Sequence, residues 1–199
     1  MFDTLKEFGL ELVGVSGGTF SERCDFVKDY AQECGQSIAH RAVPYVYIDE
    51  WRTPEFPAAL ADGFPLALHP HMFKMIQTMS EAESLLNQFP RLRLLLDTAH
   101  LSIAGDNPVS AIQNNQHRLA GIHFKDWQSN VGRSYQFYSR GFCHLGEGDI
   151  DLIKVLAALH HFDGWLVVEQ DTSPNPRASI DTSLAWLRKN STRDAIGVG

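Results

Sequence analysis

Four short apolar runs along this chain stop abruptly at polar side chains. Residues 64–68 run into His69-Pro70-His71, residues 93–96 into Asp97-Thr98-Ala99-His100, residues 119–122 into His123-Phe124-Lys125-Asp126, and residues 165–168 into Glu169-Gln170-Asp171. Each run has the length of a strand, and near-continuous apolar character belongs to parallel strands covered on both faces. In parallel α/β folds ligands bind just beyond the carboxyl ends of the strands. One polar ending is ordinary for a helix cap or a turn; four in succession predict a site.

The pattern between these runs is helical. Residues 1–9 read as the end of a helix with Phe2, Leu5 and Phe8 on one face and Gly9 as its stop. A strand over 10–15 follows and ends in Ser16-Gly17-Gly18, either a plain turn or a close backbone approach to a ligand. Thr19 to Glu22 is a capping box for a helix whose inward face is Phe26, Val27, Tyr30, Ala31 and Cys34, closed by Gly35. A strand over 43–51 ends in Asp49 and Glu50. Only about a dozen residues then remain before the next strand, so the crossover helix, near 56–61, must be short.

Ser80 to Glu83 reads as a second capping box, with Ala82, Leu85, Leu86 and Phe89 inward and Pro90 as the stop. Asp106-Asn107-Pro108 caps a helix that turns Val109 and Ile112 inward. Residues 127–148 form the longest loop, rich in Trp127, Arg133, Tyr135, Tyr138 and Arg140, and serve as a binding lid or as surface wrapping. Gly148-Asp149 opens a helix with Ile150, Ile153 and Ala157 inward. A last helix presents Ile180, Leu184 and Leu187, with Arg188 and Lys189 at its C-terminal dipole. Six strand-helix units in one domain over 1–199 predict a parallel sheet under helices, an incomplete (β/α) barrel.

Composition narrows the partners. The chain has 199 residues, 44% hydrophobic and 21% charged, with a formal net charge of -7, which disfavours a nucleic-acid phosphate backbone as ligand. The N-terminal residues lack a signal-peptide pattern and no run approaches a membrane span, so the expectation is a cytoplasmic protein without membrane attachment. The three cysteines form no Cys-x-x-Cys pair and are expected to stay reduced.

The strand endings supply a mixed nitrogen and oxygen donor set. Asp97, His123, Glu169 and one of His69 or His71 suit a borderline divalent cation. A cation bound to sugar oxygens acidifies the adjacent C-H, and a nearby carboxylate then removes the proton. The alternative stays open that His100 and His123 are hydrogen-bonded structural residues and that Asp97 and Asp126 are helix caps.

Four motifs in this order and spacing, Asp97-Thr-Ala-His100, Ile122-His123-Phe-Lys125-Asp126, residues 145–151 and residues 165–171, resemble the sugar phosphate isomerase/epimerase family with the xylose isomerase-like TIM barrel. His69-Pro70-His71-Met72 is similar to the inosose dehydratase branch. The resemblance implies Asp97, His123 and Glu169 as metal ligands; with His69 or His71 as the fourth, the expected ion is Mn2+, with Mg2+, Co2+ or Zn2+ as alternatives. It also implies Glu169 as acid-base and His100 as a contact to substrate oxygens. Lys125 or Arg140 is expected to stabilise developing negative charge, Lys125 standing with Glu169 and His100 as a catalytic residue. His71, His100, Asp126, Trp127 and Arg140 are the expected substrate-binding residues. A small sugar or polyol is then the ligand.

Many members of that family carry Glu where this chain has His69, which removes one base of a two-base epimerisation. The first two strands of the family barrel have no counterpart if the strand ending at Gly17 is the third, and open strand edges predict a homo-oligomer. Two rival readings remain: a degenerate barrel that binds a sugar or a partner protein without turnover, and, against the charge balance, a metal-dependent abasic-site endonuclease.

Overall fold

A computed structural model describes residues 2–40, 43–48, 52–53, 55–132 and 137–191. In chain order the elements are α1 (Phe2–Glu7), β1 (Gly14–Val15), α2 (Phe20–Glu33), β2 (Tyr45–Ile48), α3 (Glu55–Ala61), β3 (Leu66–Leu68), α4 (Met79–Gln88), β4 (Arg93–Asp97), α5 (Thr98–Ala104) and α6 (Pro108–Asn115). There follow β5 (Leu119–Phe124), β6 (Asp126–Trp127), β7 (Phe142–Cys143), α7 (Leu152–Ala158), β8 (Trp165–Val168) and α8 (Pro176–Asn190). Six strands form one curled parallel sheet in the order β1-β2-β3-β4-β5-β8, an incomplete barrel.

The two faces of the sheet differ in what covers them. Val46, Ile48, Leu66, Leu68, Leu94, Leu96, Ile122 and Phe124 point toward the helices and join the main core with Val27, Phe56, Leu86 and Ile112. The opposite, concave face holds a small cluster of Ala67, Leu95 and Ala120 beneath Tyr45 and Tyr47. Side chains alternate along a strand, so the residues that follow Ala67 and Leu95 by two, His69 and Asp97, belong to this concave face.

A bulge decides what stands beside Asp97. Leu94 pairs with Leu119 but Leu95 pairs with Gly121, leaving Ala120 as one extra residue in β5. The slip brings His123 opposite Asp97. In unbroken register Ile122 would stand there, because a one-residue shift exchanges the faces of a strand. Pairing with β8 then sets His123 against Val167, and Glu169 follows two residues later on the same side.

Several elements depart from the expectations of the sequence. The first strand shrinks to Gly14–Val15, and Phe8, assigned to an inward helix face, is 66% exposed. The Gly17-Gly18 turn is an anchored one: buried Arg23 donates from Nη1 to both carbonyls, at 3.1 and 2.8 Å. The cap of α4 is Thr78 with Glu81, two residues before the expected box. Met79 in its first turn donates its N-H to Asp106 of the following helical hairpin. In α7 the cap is Asp151 and the buried residues are Leu152, Val155 and Ala158, while Ile153 is exposed. In α8 the buried positions are Ser179, Ser183 and Leu187, with Ile180 exposed. The expected carboxylate ending of β2 at Asp49 and Glu50, and loop residues Arg133 and Tyr135, lie outside the described residues.

The described parts of the long loop include a strand pair. β6 and β7 pair antiparallel, Asp126 with Cys143 and Trp127 with Phe142. The three cysteines are free.

Candidate metal and active site

Asp97 ends β4 and starts α5 with a different oxygen for each neighbourhood. Its Oδ1 accepts from the backbone N-H groups of Ala99 and His100, both at 2.9 Å, and so caps the helix. Its Oδ2 is buried and makes no hydrogen bond of proper direction. Cap and site residue are therefore one side chain. Beside it, Thr98 Oγ1 donates to the Lys125 carbonyl at 2.6 Å and accepts from the Lys125 N-H at 2.9 Å, which ties the ends of β4 and β5 together.

Donor atoms of His69, Asp97 and His123 lie within 4.8 Å of one another, the spacing a metal ion requires. Glu169 extends this set: its Oε2 is 2.7 Å from His123 Nδ1, yet both atoms are buried without a properly directed hydrogen bond. Buried atoms of Asp97, His123 and Glu169 that make no properly directed hydrogen bond meet in one place, with the Lys125 ammonium as their neighbouring cation. The residues present fit a divalent cation.

Lys125 and Asp171 complete the cluster. The Lys125 ammonium, almost fully buried, lies 3.0 Å from Asp97 Oδ2, 3.2 Å from Glu169 Oε2 and 2.7 Å from Asp171 Oδ1. Three carboxylates against one ammonium leave two formal negative charges, the complement of a divalent ion.

The same surroundings set the proton affinities. Burial lowers the His69 pKa to about 3, with His123, His71 and His100 adding to the effect against the pull of Asp97. Burial likewise lowers His100 to about 3, assisted by His71 and Lys125. Glu169 falls to about 2 because contact with His123 and the charge of Lys125 outweigh its burial. For Lys125, burial is outweighed by Asp97, Glu169 and Asp171, and its pKa rises. Burial, then the negative charge of Glu169, pushes Tyr47 up to about 12.

Histidines and aromatics form the wall. His71 lies against His100 with ring centroids 3.6 Å apart, and His69 stands edge-on to His123 at 5.0 Å. Phe142 packs on His100 at 5.9 Å, with the Lys125 ammonium 5.5 Å from its ring centre. Tyr138 joins Phe142, and Phe73, whose φ of 67° is rare outside glycine, meets Tyr138 at 4.7 Å. A separate cavity of about 600 Å³, lined by Asn107, Trp127, Asp149 and Lys154, contains none of the four candidate ligands.

Three residues expected to touch substrate have protein partners of their own. Asp126 is buried, and its carboxylate accepts the backbone N-H groups of Trp127, Gly146, Gly148 and Ile150 at 2.8–3.4 Å, which braces residues 146–150 against β6. Burial raises its pKa, and these amides offset part of the rise. Trp127 donates from Nε1 to the Tyr138 carbonyl, and its ring fills the space beside Gly132 and Gly141. Arg140 is exposed and stacks on Phe137 at 4.4 Å. His71 and His100, by contrast, stand in the cluster. Asp171 and Phe142 were not singled out by sequence reasoning: the signal for Asp171 was its two-residue spacing from Glu169, and Phe142 had none.

Comparisons with known proteins follow the same lines. The family model described as xylose isomerase-like TIM barrel matches residues 6–190. The inosose dehydratase of Halalkalibacterium halodurans is 33% identical over 135 residues, which cover 61% of this chain and 45% of that protein. The chain spans about half the length of the curated relatives it matches. Among solved structures, the probable 3-DHS dehydratase AsbF from Bacillus anthracis superposes with a TM-score of 0.64 at 16% identity, covering 96% of this chain and 80% of that one. The IOLI protein, solved with a bound zinc atom, superposes with a TM-score of 0.56 at 17% identity, covering all of this chain and 68% of that one.

Proposed function

The chain belongs to the xylose isomerase-like TIM barrel family, and on that premise we propose that it is a divalent-metal-dependent enzyme moving a proton beside the carbonyl of a sugar or polyol. The observation that carries this reading is the convergence of His69, Asp97, His123 and Glu169 at the ends of four neighbouring strands, with donor atoms close enough to share one ion. The names of the curated relatives support a dehydratase, and the zinc atom bound in the IOLI structure supports a metal-dependent reading. We assign Mn2+ as the working ion, with Zn2+, Co2+ and Mg2+ as alternatives that the same donors accept.

His69, Asp97, His123 and Glu169 would hold the ion. When bound, it supplies Lewis acidity that makes the C-H next to a coordinated carbonyl acidic. Glu169 is ionised at neutral pH, since its pKa lies at about 2. It takes the proton from the carbon, the C-H electrons form the new double bond, and the bond to the hydroxyl on the next carbon breaks. The proton held by Glu169 passes to the departing hydroxide, and water leaves. One base thus completes an elimination. His69 in place of a carboxylate deprives the opposite side of a second base, which favours dehydration or isomerisation over symmetric epimerisation. His100 holds a substrate oxygen, and the Lys125 ammonium faces the negative charge that develops on the carbonyl oxygen while the C-H bond breaks, before departure of hydroxide restores the carbonyl.

The test is solvent deuterium exchange into inososes, ketoses and their phosphates, with Mn2+ added. The parent chain is expected to exchange or dehydrate at least one of them, and Glu169→Gln to lose at least about a hundredfold in rate. Equal rates for the Gln variant overturn the mechanism. Binding of a polyol without exchange in any candidate replaces it with the non-catalytic barrel.

A further inference from the structure

The cation that the site already contains is Lys125. Its three ammonium protons face three carboxylates, at 3.0 Å from Asp97, 3.2 Å from Glu169 and 2.7 Å from Asp171. Two of these carboxylates are candidate metal ligands, and the third is not. The contest between metal and lysine is specific to an atom on Asp97. With Oδ1 engaged by the cap of α5, Oδ2 alone is left for either cation. Asp171 makes the shortest of the three contacts and a properly directed hydrogen bond with Lys125.

We infer that Lys125 is a resident counter-ion that holds Asp97 and Glu169 in place until a metal enters, and that Asp171 then retains its ammonium, so that Asp171 is a positioning residue for metal uptake. The inference rests on the metal-site reading above. Without Lys125, buried Asp97 and the partly exposed Glu169 and Asp171 would stand together with no cation, and like charges so close repel. With Lys125 but without Asp171, the ammonium has only the two metal ligands as partners and blocks the site. The charge of Lys125 and the anchor of Asp171 therefore act on metal affinity with opposite signs. An outer carboxylate that merely attracted cations would show no such dependence on the lysine.

A double-mutant cycle separates these cases. Mn2+ binding to the full 199-residue chain, stripped with chelator, is measured by calorimetry for the parent, Lys125→Met, Asp171→Asn and the double variant. Lys125→Met is expected to bind Mn2+ about tenfold more tightly or better, since a like charge is removed. Asp171→Asn is expected to bind about tenfold more weakly, and this loss is expected to vanish when Lys125 is already Met. An equal Asp171→Asn loss in both backgrounds, or weaker binding by Lys125→Met, overturns the inference.

Should Lys125→Met fail to fold without metal, its melting curve decides. Addition of Mn2+ is expected to recover the fold and raise the melting temperature more than in the parent; failure of the ion to do so counts against the inference. Unchanged Mn2+ affinity in Asp171→Asn does the same. A parent chain that binds no Mn2+, Zn2+ or Co2+ at all overturns the metal-site reading itself, a result distinct from any ordering among the variants.

Discussion

Asp97 shows how one residue serves both stability and chemistry. Two backbone N-H groups fix Oδ1, which fixes the rotamer and aims Oδ2 into the site. The alternative raised by the sequence, a cap or a ligand, dissolves because the two oxygens divide the roles. Around it His69 and His100 are kept neutral by burial, and this makes the metal-free fold sensitive to acid. The pKa values of His69 and His100 drop to about 3 from a usual value near 6.5. The unfolded chain therefore binds more protons than the folded one between these values, and stability rises with pH across that window. The chelated protein is expected to lose stability progressively as pH falls from about 6.5 toward 3, measured by denaturant midpoints, and His100→Gln to flatten part of that slope. An unchanged slope would show that His100 is not held neutral. The residues of this site that the sequence displayed were those ending apolar runs: His69, Asp97, His123, Lys125 and Glu169. Asp126, Trp127 and Arg140 had equal chemical promise, but most of their partners are Phe137, Tyr138, Gly146, Gly148 and Ile150, and no local pattern shows which carboxylate a distant backbone will engage.

The β5 bulge carries the largest consequence for its size. Its single extra residue, Ala120, turns His123 rather than Ile122 toward Asp97. The run Leu-Ala-Gly-Ile read correctly as a strand, yet no residue in it announces a bulge. The same limit explains the helices. The inward faces of α7 and α8 were read from large apolar side chains, whereas α8 buries Ser179 and Ser183 because their hydroxyls meet His144 and the Leu145 N-H. Burial of a hydroxyl that has a partner breaks the apolar rule on which periodicity rests. Two predictions belong to this scale. Thr78→Ala removes the α4 cap and is expected to cost about 1 kcal/mol in chemical denaturation. Asp126→Asn replaces an acceptor among four backbone donors by an amide that must turn an N-H toward them, and is expected to cost about 2–3 kcal/mol. Proteolysis of the residues between β6 and β7 is expected to rise with it, since the bracket between Trp127 and Ile150 loosens. A variant as stable and as resistant as the parent would show that the loop is held by other contacts.

At the scale of the whole molecule, the parallel order of six strands was legible because alternating runs and helices permit few topologies. Its edges pose the remaining physical problem. Among the described residues, β1 and β8 each have one neighbour in the sheet. β1 has only two residues, and a short edge offers little for another strand to pair with. β8 has four, and Trp165 at its start is 45% exposed, as the concave face continues past it to water. A strand with free backbone groups and an exposed indole is the place where a second copy gains most by pairing. The chain is therefore expected to self-associate with rising concentration in sedimentation velocity. Trp165→Lys, which sets a charge on that edge, is expected to shift the distribution toward the monomer while leaving the far-ultraviolet circular dichroism unchanged. Mn2+ binding is expected to persist in this variant, because the four candidate ligands all come from strands and strand ends of one chain. A parent that stays monomeric at millimolar concentration would remove the edge as a driving force. A Trp165→Lys variant that dimerises like the parent would place the contact elsewhere.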